Sequence, residues 1–322
     1  MGHFADEFKP GVRCQKSDRI EQDDSNLFIR SSCPELPSQV PDSLKKVLTS
    51  NMNSTDHYFQ TNGLRIHGVV WKNSNSDVIP LIILHGIWES WHTFADAAPR
   101  FAQKRTVYAL DLRGHGESDK PEKGYSLRDY AADIEGVLKQ LPYSHIYLLG
   151  HSLGSLVALQ VAGDTPALLA KLILEDPPLV QPHQEAGAKS DMEHLLVLKH
   201  QPFDAVVTAF TSQPSVLEIT WFEMTARDFL LSADGPFLAI INNELTEEAW
   251  ATLLAKVTTP TLVLAADPAD GGWMGEEHHV LVRDALPSAH IVDFPGCGHH
   301  IETACMESFV STVEEFLDDS MQ

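Results

Sequence analysis

The sequence predicts an α/β fold in which a mostly parallel central sheet carries helices on both faces and is interrupted once by a helical insertion. Three observations predict it. Short, almost wholly apolar runs (Val78–Leu84, Thr106–Leu110, Leu172–Leu174, Thr261–Ala265, Ile291–Phe294) alternate with helical-spacing segments, the pattern of buried parallel strands joined by crossover helices. That alternation stops between Leu179 and Leu254, where only helical patterns occur, and then resumes. Finally, Gly150-His151-Ser152-Leu153-Gly154 stands directly behind the apolar run Ile146-Tyr147-Leu148-Leu149. The positions after it, Leu156, Val157, Leu159, Val161 and Ala162, are those of a buried helix, so strand, tight turn and helix follow in order.

Taken along the chain, residues 1–55 form a polar extension with Pro34, Pro37 and Pro41 and one short helix near Asp42–Ser50. Tyr58–Gln60 and Leu64–Trp71 flank Asn62-Gly63, a hairpin signal. A helix is expected over Phe94–Gln103, a polar turn over Arg113–Lys120, and a longer helix over Leu127–Leu141, whose apolar residues Leu127, Tyr130, Ala131, Ile134, Val137, Leu138 and Leu141 share one face. Within the insertion, helices are expected near Ser190–Lys199, Pro202–Thr211, Leu217–Leu231 and Thr246–Leu254; after it, near His278–Ala285 and Met306–Leu317. The domain division that follows is an extension (1–55), a core in two parts (56–178 and 255–322), and a helical cap (179–254).

Composition narrows the functional classes. The 322 residues are 43% apolar, the composition of a globular chain, and no apolar run approaches the length of a bilayer span. Forty-five acidic against 23 basic residues give a formal charge of -22, a field that opposes nucleic acid and anionic membrane surfaces. The start of the chain does not read as a secretory signal, and Cys14, Cys33, Cys297 and Cys305 do not form a disulfide framework, which together predict a cytoplasmic protein. Asn53-Ser54-Thr55 fits a glycosylation acceptor but has no meaning without secretion. No glycine-rich phosphate loop follows an early strand, and Cys297, His299, His300 and Cys305 lack a matching ligand set elsewhere, so neither a cofactor nor a metal is expected.

The chemistry centres on Ser152. At a strained strand-to-helix corner its hydroxyl is exposed, and Gly150 and Gly154 are the positions where a side chain would collide. A serine needs a base to remove its proton, and the base needs an acid to hold its tautomer. His299, in the loop after the last strand, is the expected base, with His300 its adjacent rival. For the acid, Asp267, Asp176 and Asp270 all follow strand ends on the same sheet edge, and the sequence leaves them open. The amides of Leu153 and Ile87 are the expected oxyanion donors. Trp88 and Trp91 stand beside them, and Trp221 and Phe222 in the insertion are bulky enough to line an apolar pocket.

Four motifs carry a family resemblance. His85-Gly86, Asp111-Leu112-Arg113-Gly114-His115-Gly116-Glu117-Ser118-Asp119, Gly150 to Gly154, and Gly296-Cys297-Gly298-His299 occur in the order and context of a serine-type α/β-hydrolase, which the chain resembles over residues 56–318. The sequence departs from the family pattern at Ala266 and Ala269, where a glycine and the acid would stand. The resemblance implies an acyl-enzyme on Ser152 and hydrolysis of a lipophilic carboxylic ester or lactone, with the chain alone or paired with a second copy. Cleavage of a C–C bond in a diketone-like substrate, or binding without turnover, are the alternatives the same fold supports. Epoxide hydrolases of similar topology use an aspartate nucleophile, and Ser152 argues against that chemistry here.

Overall fold

The computed structural model describes residues 20–23, 26–29, 54–75, 77–180, 184–212, 217–246 and 248–319. The helix expected at Asp42–Ser50, Asn53, Cys14 and Cys33 lie outside the described residues. Strands β1 (Ile20–Asp23) and β2 (Asn26–Ile29) form a separate antiparallel pair. The remaining strands build one sheet: β3 (Ser54–Thr61), β4 (Leu64–Trp71), β5 (Leu81–Leu84), β6 (Val107–Leu110), β7 (Ile146–His151), β8 (Leu169–Glu175), β9 (Thr261–Ala266) and β10 (His290–Phe294), in the spatial order β10-β9-β8-β7-β5-β6-β4-β3. All pairs from β6 to β10 are parallel, and β3 and β4 add an antiparallel edge. The β3–β4 hairpin turns at Asn62 (φ 49°) and Gly63 (φ 77°), the two positive-φ positions that a two-residue turn requires.

Alternation along the central strands builds two apolar layers. Ile82, Leu84, Leu148, Leu172 and Leu174 face one side with the helices α2 (Leu127–Leu138) and α3 (Leu153–Asp164). Leu81, Ile83, Leu149, Ile173, Leu262 and Leu264 face the other, against α1 (Ala98–Phe101) and α11 (Met306–Asp318). Helix α2 opens with a reciprocal Ser126–Asp129 capping box. The helix expected over Phe94–Gln103 is instead a 3₁₀ turn at Trp91–Phe94 followed by the single-turn α1. Pro99 explains the break, because it can sit in the first turn of a helix but cannot continue one.

The insertion after β8 consists of α4 (Glu185–Lys199), α5 (Phe203–Phe210), α6 (Ile219–Leu231), α7 (Gly235–Ile241) and α8 (Trp250–Ala255), before β9 resumes the sheet. Helix α7 is an addition to the expected set: Gly235-Pro236 reads as a breaker, yet proline in the first turn is compatible with a helix start. Hydrogen bonds that tie this cap to the core include Leu127 N to Leu245 O (2.7 Å), Ala233 N to Gly114 O (2.6 Å), and Ser90 Oγ to Asp228 Oδ2 (2.5 Å). The last turns are α9 (Glu276–Ala285) and α10 (Ile301–Ala304), beside α11. No helix among the described residues is long and apolar enough to cross a membrane.

One expectation is corrected. Cys297 and Cys305, which the sequence reading did not take as part of a disulfide framework, form a disulfide across eight residues, with Cα atoms 6.2 Å apart. Sequence separation alone could not show this, since the turn at Gly298–His300 and helix α10 return the chain to Cys297. Closing so short a loop is worth about 2 to 3 kcal/mol on the chain-entropy account. A reductant is therefore expected to lower the melting temperature of the native chain and to leave Cys305→Ser unchanged, as scanning calorimetry of both would show.

Candidate active site

The strand–helix corner after β7 has the strained geometry its glycines imply. Ser152 has φ 52° and ψ −119°, a conformation that side-chain-bearing residues rarely adopt. A Cβ on Gly150 would lie 2.2 Å from Gly154 O, and one on Gly154 would lie 2.3 Å from Leu84 O, so neither position accepts a side chain. Ser152 N donates to Glu175 O (3.1 Å), which pins the corner to the end of β8. Leu153 is the first residue of α3, where the amide has no intrahelical acceptor.

The loop after β5 comes close to the same corner. A Cβ on Gly86 would meet Ser152 Cβ at 3.0 Å, so glycine is what lets the loop approach. His85 shapes the loop and performs no chemistry: its Nδ1 donates to Gly86 O (2.7 Å) and its Nε2 accepts from Leu112 N (3.0 Å). Trp88 also has positive φ (57°), and its ring stacks on Phe237 (6.1 Å, 16°) and meets Phe229 edge-on. The motif Asp111–Asp119 is a supporting turn, in which buried Asp111 accepts from His67 Nδ1 (2.8 Å), Trp91 N (2.8 Å) and Glu117 N (2.9 Å).

Among the three acidic candidates, the structure places Asp176 against His299. His299 Nδ1 and Asp176 Oδ2 are 2.5 Å apart, and the carboxylate also accepts from the amides of Ala266, Trp273 and Met274 at 3.0–3.3 Å. Burial raises Asp176, but the hydrogen bond from His299 and the amides more than offset it, so it titrates below the usual carboxylate range. His299 is lowered from its ordinary value, first by burial and then by the neighbouring His151 and His300, against the opposing pull of Asp176. Such an imidazole is neutral at pH 7, the state a base requires.

Asp267 and Asp270 do something else. Asp267 accepts from Ala269 N (2.9 Å) and Gly296 N (2.9 Å), and its own amide donates to Cys297 O (2.8 Å), so it staples the base of the His299 loop from the exposed side. Asp270 is exposed, and its carbonyl would lie 2.6 Å from a Cβ on Gly298. The rival His300 bonds Glu302 Oε1 (3.1 Å), with the ring of Trp221 edge-on at 4.7 Å. Trp221 also meets Phe222 at 5.2 Å. Trp91, by contrast, packs on Trp71 (5.9 Å) and His92 (4.2 Å) in the layer opposite the one that holds Ile87, Trp88 and Leu153. Ser152 Oγ makes no hydrogen bond to His299 among the described residues; such contacts tighten when substrate binds.

Buried charge behind this constellation is absent from the sequence reading. Glu89, His151, Glu175 and Glu302 are all at most 4% exposed. Two triplets, Glu89–His151–His300 and His151–Glu175–Glu302, bring their side-chain nitrogen and oxygen atoms within 4.8 Å of one another. The available signal was His151 and Glu175 standing at the ends of otherwise apolar strands.

Known proteins resemble this chain over most of its length. Over 255 residues the chain is 26% identical to 2-(acetamidomethylene)succinate hydrolase of Mesorhizobium japonicum, covering 74% of this chain and 87% of that one. A crystal structure of E-2-(acetamidomethylene)succinate hydrolase superposes with a TM-score of 0.70 at 23% identity, over 82% of this chain and 99% of that one. A shorter match, 35% identical over 122 residues, joins it to a soluble epoxide hydrolase of Corynebacterium, spanning 38% of this chain and 41% of that protein. The profile of the alpha/beta hydrolase fold matches residues 79–301, most of the core and all of the cap, and the chain belongs to that family.

Proposed function

We propose that the chain is a serine hydrolase in which Ser152 is the nucleophile, His299 the base, Asp176 the orienting acid, and the amides of Ile87 and Leu153 the oxyanion donors. The observation that carries this reading is the 2.5 Å pairing of His299 Nδ1 with a buried carboxylate one strand from a serine at φ 52°. Asp176 fixes Nδ1 as the donor, leaving Nε2 to take the Ser152 proton as Oγ attacks a substrate carbonyl. The oxyanion forms against the two amides, and its collapse expels the leaving group, which takes the proton from His299. Water then enters by the same base and releases the acyl group.

For the bond cleaved, the relatives favour the second sequence expectation over the first. One hydrolase that this chain resembles over most of its length is named for a substrate that is neither a plain ester nor a lactone. The reading is cleavage of a C–C bond flanked by carbonyl groups, or a related addition and elimination, in a small lipophilic molecule. A panel of a 1,3-diketone, a vinylogous 1,5-diketone, an activated aryl ester and a lactone tests it. Diketone turnover above the ester supports the reading. An ester or lactone faster by tenfold or more returns the first one, and no phosphonate adduct on Ser152 in the folded protein leaves only binding without turnover.

Selectivity is assigned to the cap. Trp221 offers apolar area and shape, reaches His300, and has no proton to exchange near pH 7. Trp221→Ala is expected to shift kcat/KM among substrates of graded bulk by about tenfold while the pH profile keeps its shape. Unchanged relative rates with a lowered melting temperature would make Trp221 a packing residue.

A further inference from the structure

A second tier of titratable side chains lies directly behind the proposed catalytic one. His151 precedes Ser152, Glu175 precedes Asp176, and His300 follows His299. His151 and Glu175 end β7 and β8, each one residue before its proposed catalytic neighbour, and both are wholly buried, whereas His300 lies in the loop after β10 and is partly exposed. Glu89 joins this tier to the oxyanion loop: its Oε2 accepts from Gly86 N (2.8 Å) and from Thr93 Oγ1 (3.0 Å), while its Oε1 faces His151 Nε2 at 3.4 Å and His300 Nδ1 at 3.9 Å. On the other side, His151 Nδ1 faces Glu175 Oε2 at 3.9 Å, and Glu175 Oε1 accepts from Glu302 N (2.8 Å). The His151 ring is wholly buried, and among the described residues neither of its nitrogens has a hydrogen bond of good geometry; what faces them is carboxylate. Its ring lies 4.6 Å from that of His299 and 5.0 Å from that of His300.

We propose that Glu89 and His151 are positioning residues of the reaction: the pair braces the oxyanion loop against the nucleophile corner from inside the protein and holds a cation beside His299. This rests on the triad reading above. A buried imidazole survives as a cation only beside anions. Burial lowers His151, but Glu89, with Glu302 and Asp176 behind it, pushes it up to about 9. That charge opposes a second proton on His299, whose other titratable neighbours are Asp176 and His300. Glu89 faces His151, His300 and His85, and burial raises it while these neighbours bring it below the ordinary carboxylate range. Burial and the neighbouring Glu302 raise Glu175 well above the ordinary carboxylate value.

The test is the pH dependence of fluorophosphonate labelling of Ser152, read by intact mass, for the native chain, Glu89→Gln, Glu89→Asp and His151→Asn. Removing the anion discharges His151 and removing His151 deletes the cation, so both Glu89→Gln and His151→Asn raise the acid limb of His299 by about one pH unit. Loosening of the oxyanion loop slows labelling in the same variants by about tenfold to a hundredfold. Glu89→Asp keeps the charge and restores the limb, which a purely structural carboxylate would not do. Folded variants with the native rate and limb overturn the proposal. Should a substitution prevent folding, His151→Gln carries the same readout: a raised limb in the folded variant supports the proposal and a native limb overturns it. A native chain that takes no label at Ser152 refutes the triad reading instead.

Discussion

Ser152→Ala is expected to lower kcat by roughly four to six powers of ten while the melting curve stays close to the native one. The chemical loss is large because the nucleophile is removed, leaving only the oxyanion donors and substrate binding to accelerate attack by water. The structural loss is small because Ser152 Oγ makes no hydrogen bond among the described residues, and alanine has the same Cβ facing Gly86 as serine does. Alanine also inherits the strain at φ 52°, so it gains nothing. Ser152→Gly separates the two effects: it is equally inactive, but it releases the strain of a side chain at positive φ and should melt higher than Ser152→Ala. Turnover by Ser152→Ala within tenfold of the native rate on any responsive substrate would remove Ser152 from the mechanism.

Asp176→Asn should cost about four powers of ten in kcat, since an amide in that place can donate to the imidazole and so fix the wrong tautomer. Unlike the serine, this residue also carries stability. Its carboxylate accepts from three backbone amides in the Ala266–Met274 turn, and an asparagine presenting its NH₂ to any of them leaves a buried donor unmatched, at about 1 to 3 kcal/mol. The folded pKa is depressed, so this stabilisation is complete above the unfolded carboxylate value and disappears as pH falls through the folded one. Melting temperatures of the native chain and Asp176→Asn should therefore converge in acid and diverge near neutrality. Asp267→Asn and Asp270→Asn are the controls: the first should loosen the Gly296 turn with a modest effect on rate, the second should do little. Comparable losses from Asp176→Asn and Asp267→Asn would dissolve the assignment of a single orienting acid.

The succession of strands, the elbow and the cap were legible because each is written locally: apolar runs, glycine spacing, and an interruption in the alternation. The choice between Asp176 and Asp267 was not. Both end strands on one edge of the sheet, and what separates them is the path of the Gly296–His299 loop, which Asp267 ties down by accepting from Gly296 N rather than from the imidazole. The Cys297–Cys305 bond escaped for the same reason, since it depends on how the loop turns back. The charges behind the site escaped for a different one. His151 and Glu175 stand at the ends of otherwise apolar strands, and their partners come from elsewhere in the chain: Glu89 in the loop after β5 faces His151, and the amide of Glu302 donates to Glu175.

The bond from Ser90 to Asp228 has a consequence for timing. Asp228 belongs to α6 of the cap, yet Oδ2 accepts from Ser90 Oγ at 2.5 Å and stands 3.2 Å from His92 Nδ1, only a few residues beyond Ile87. Trp88, between them, stacks against the cap as well. A movement of α6 wide enough to admit a molecule would break that buried contact and free the segment that holds Ile87, the proposed oxyanion donor. On the proposed mechanism, entry and readiness would then be a single event, and a substrate that fits badly enough to keep α6 from settling would be rejected before any bond is attacked.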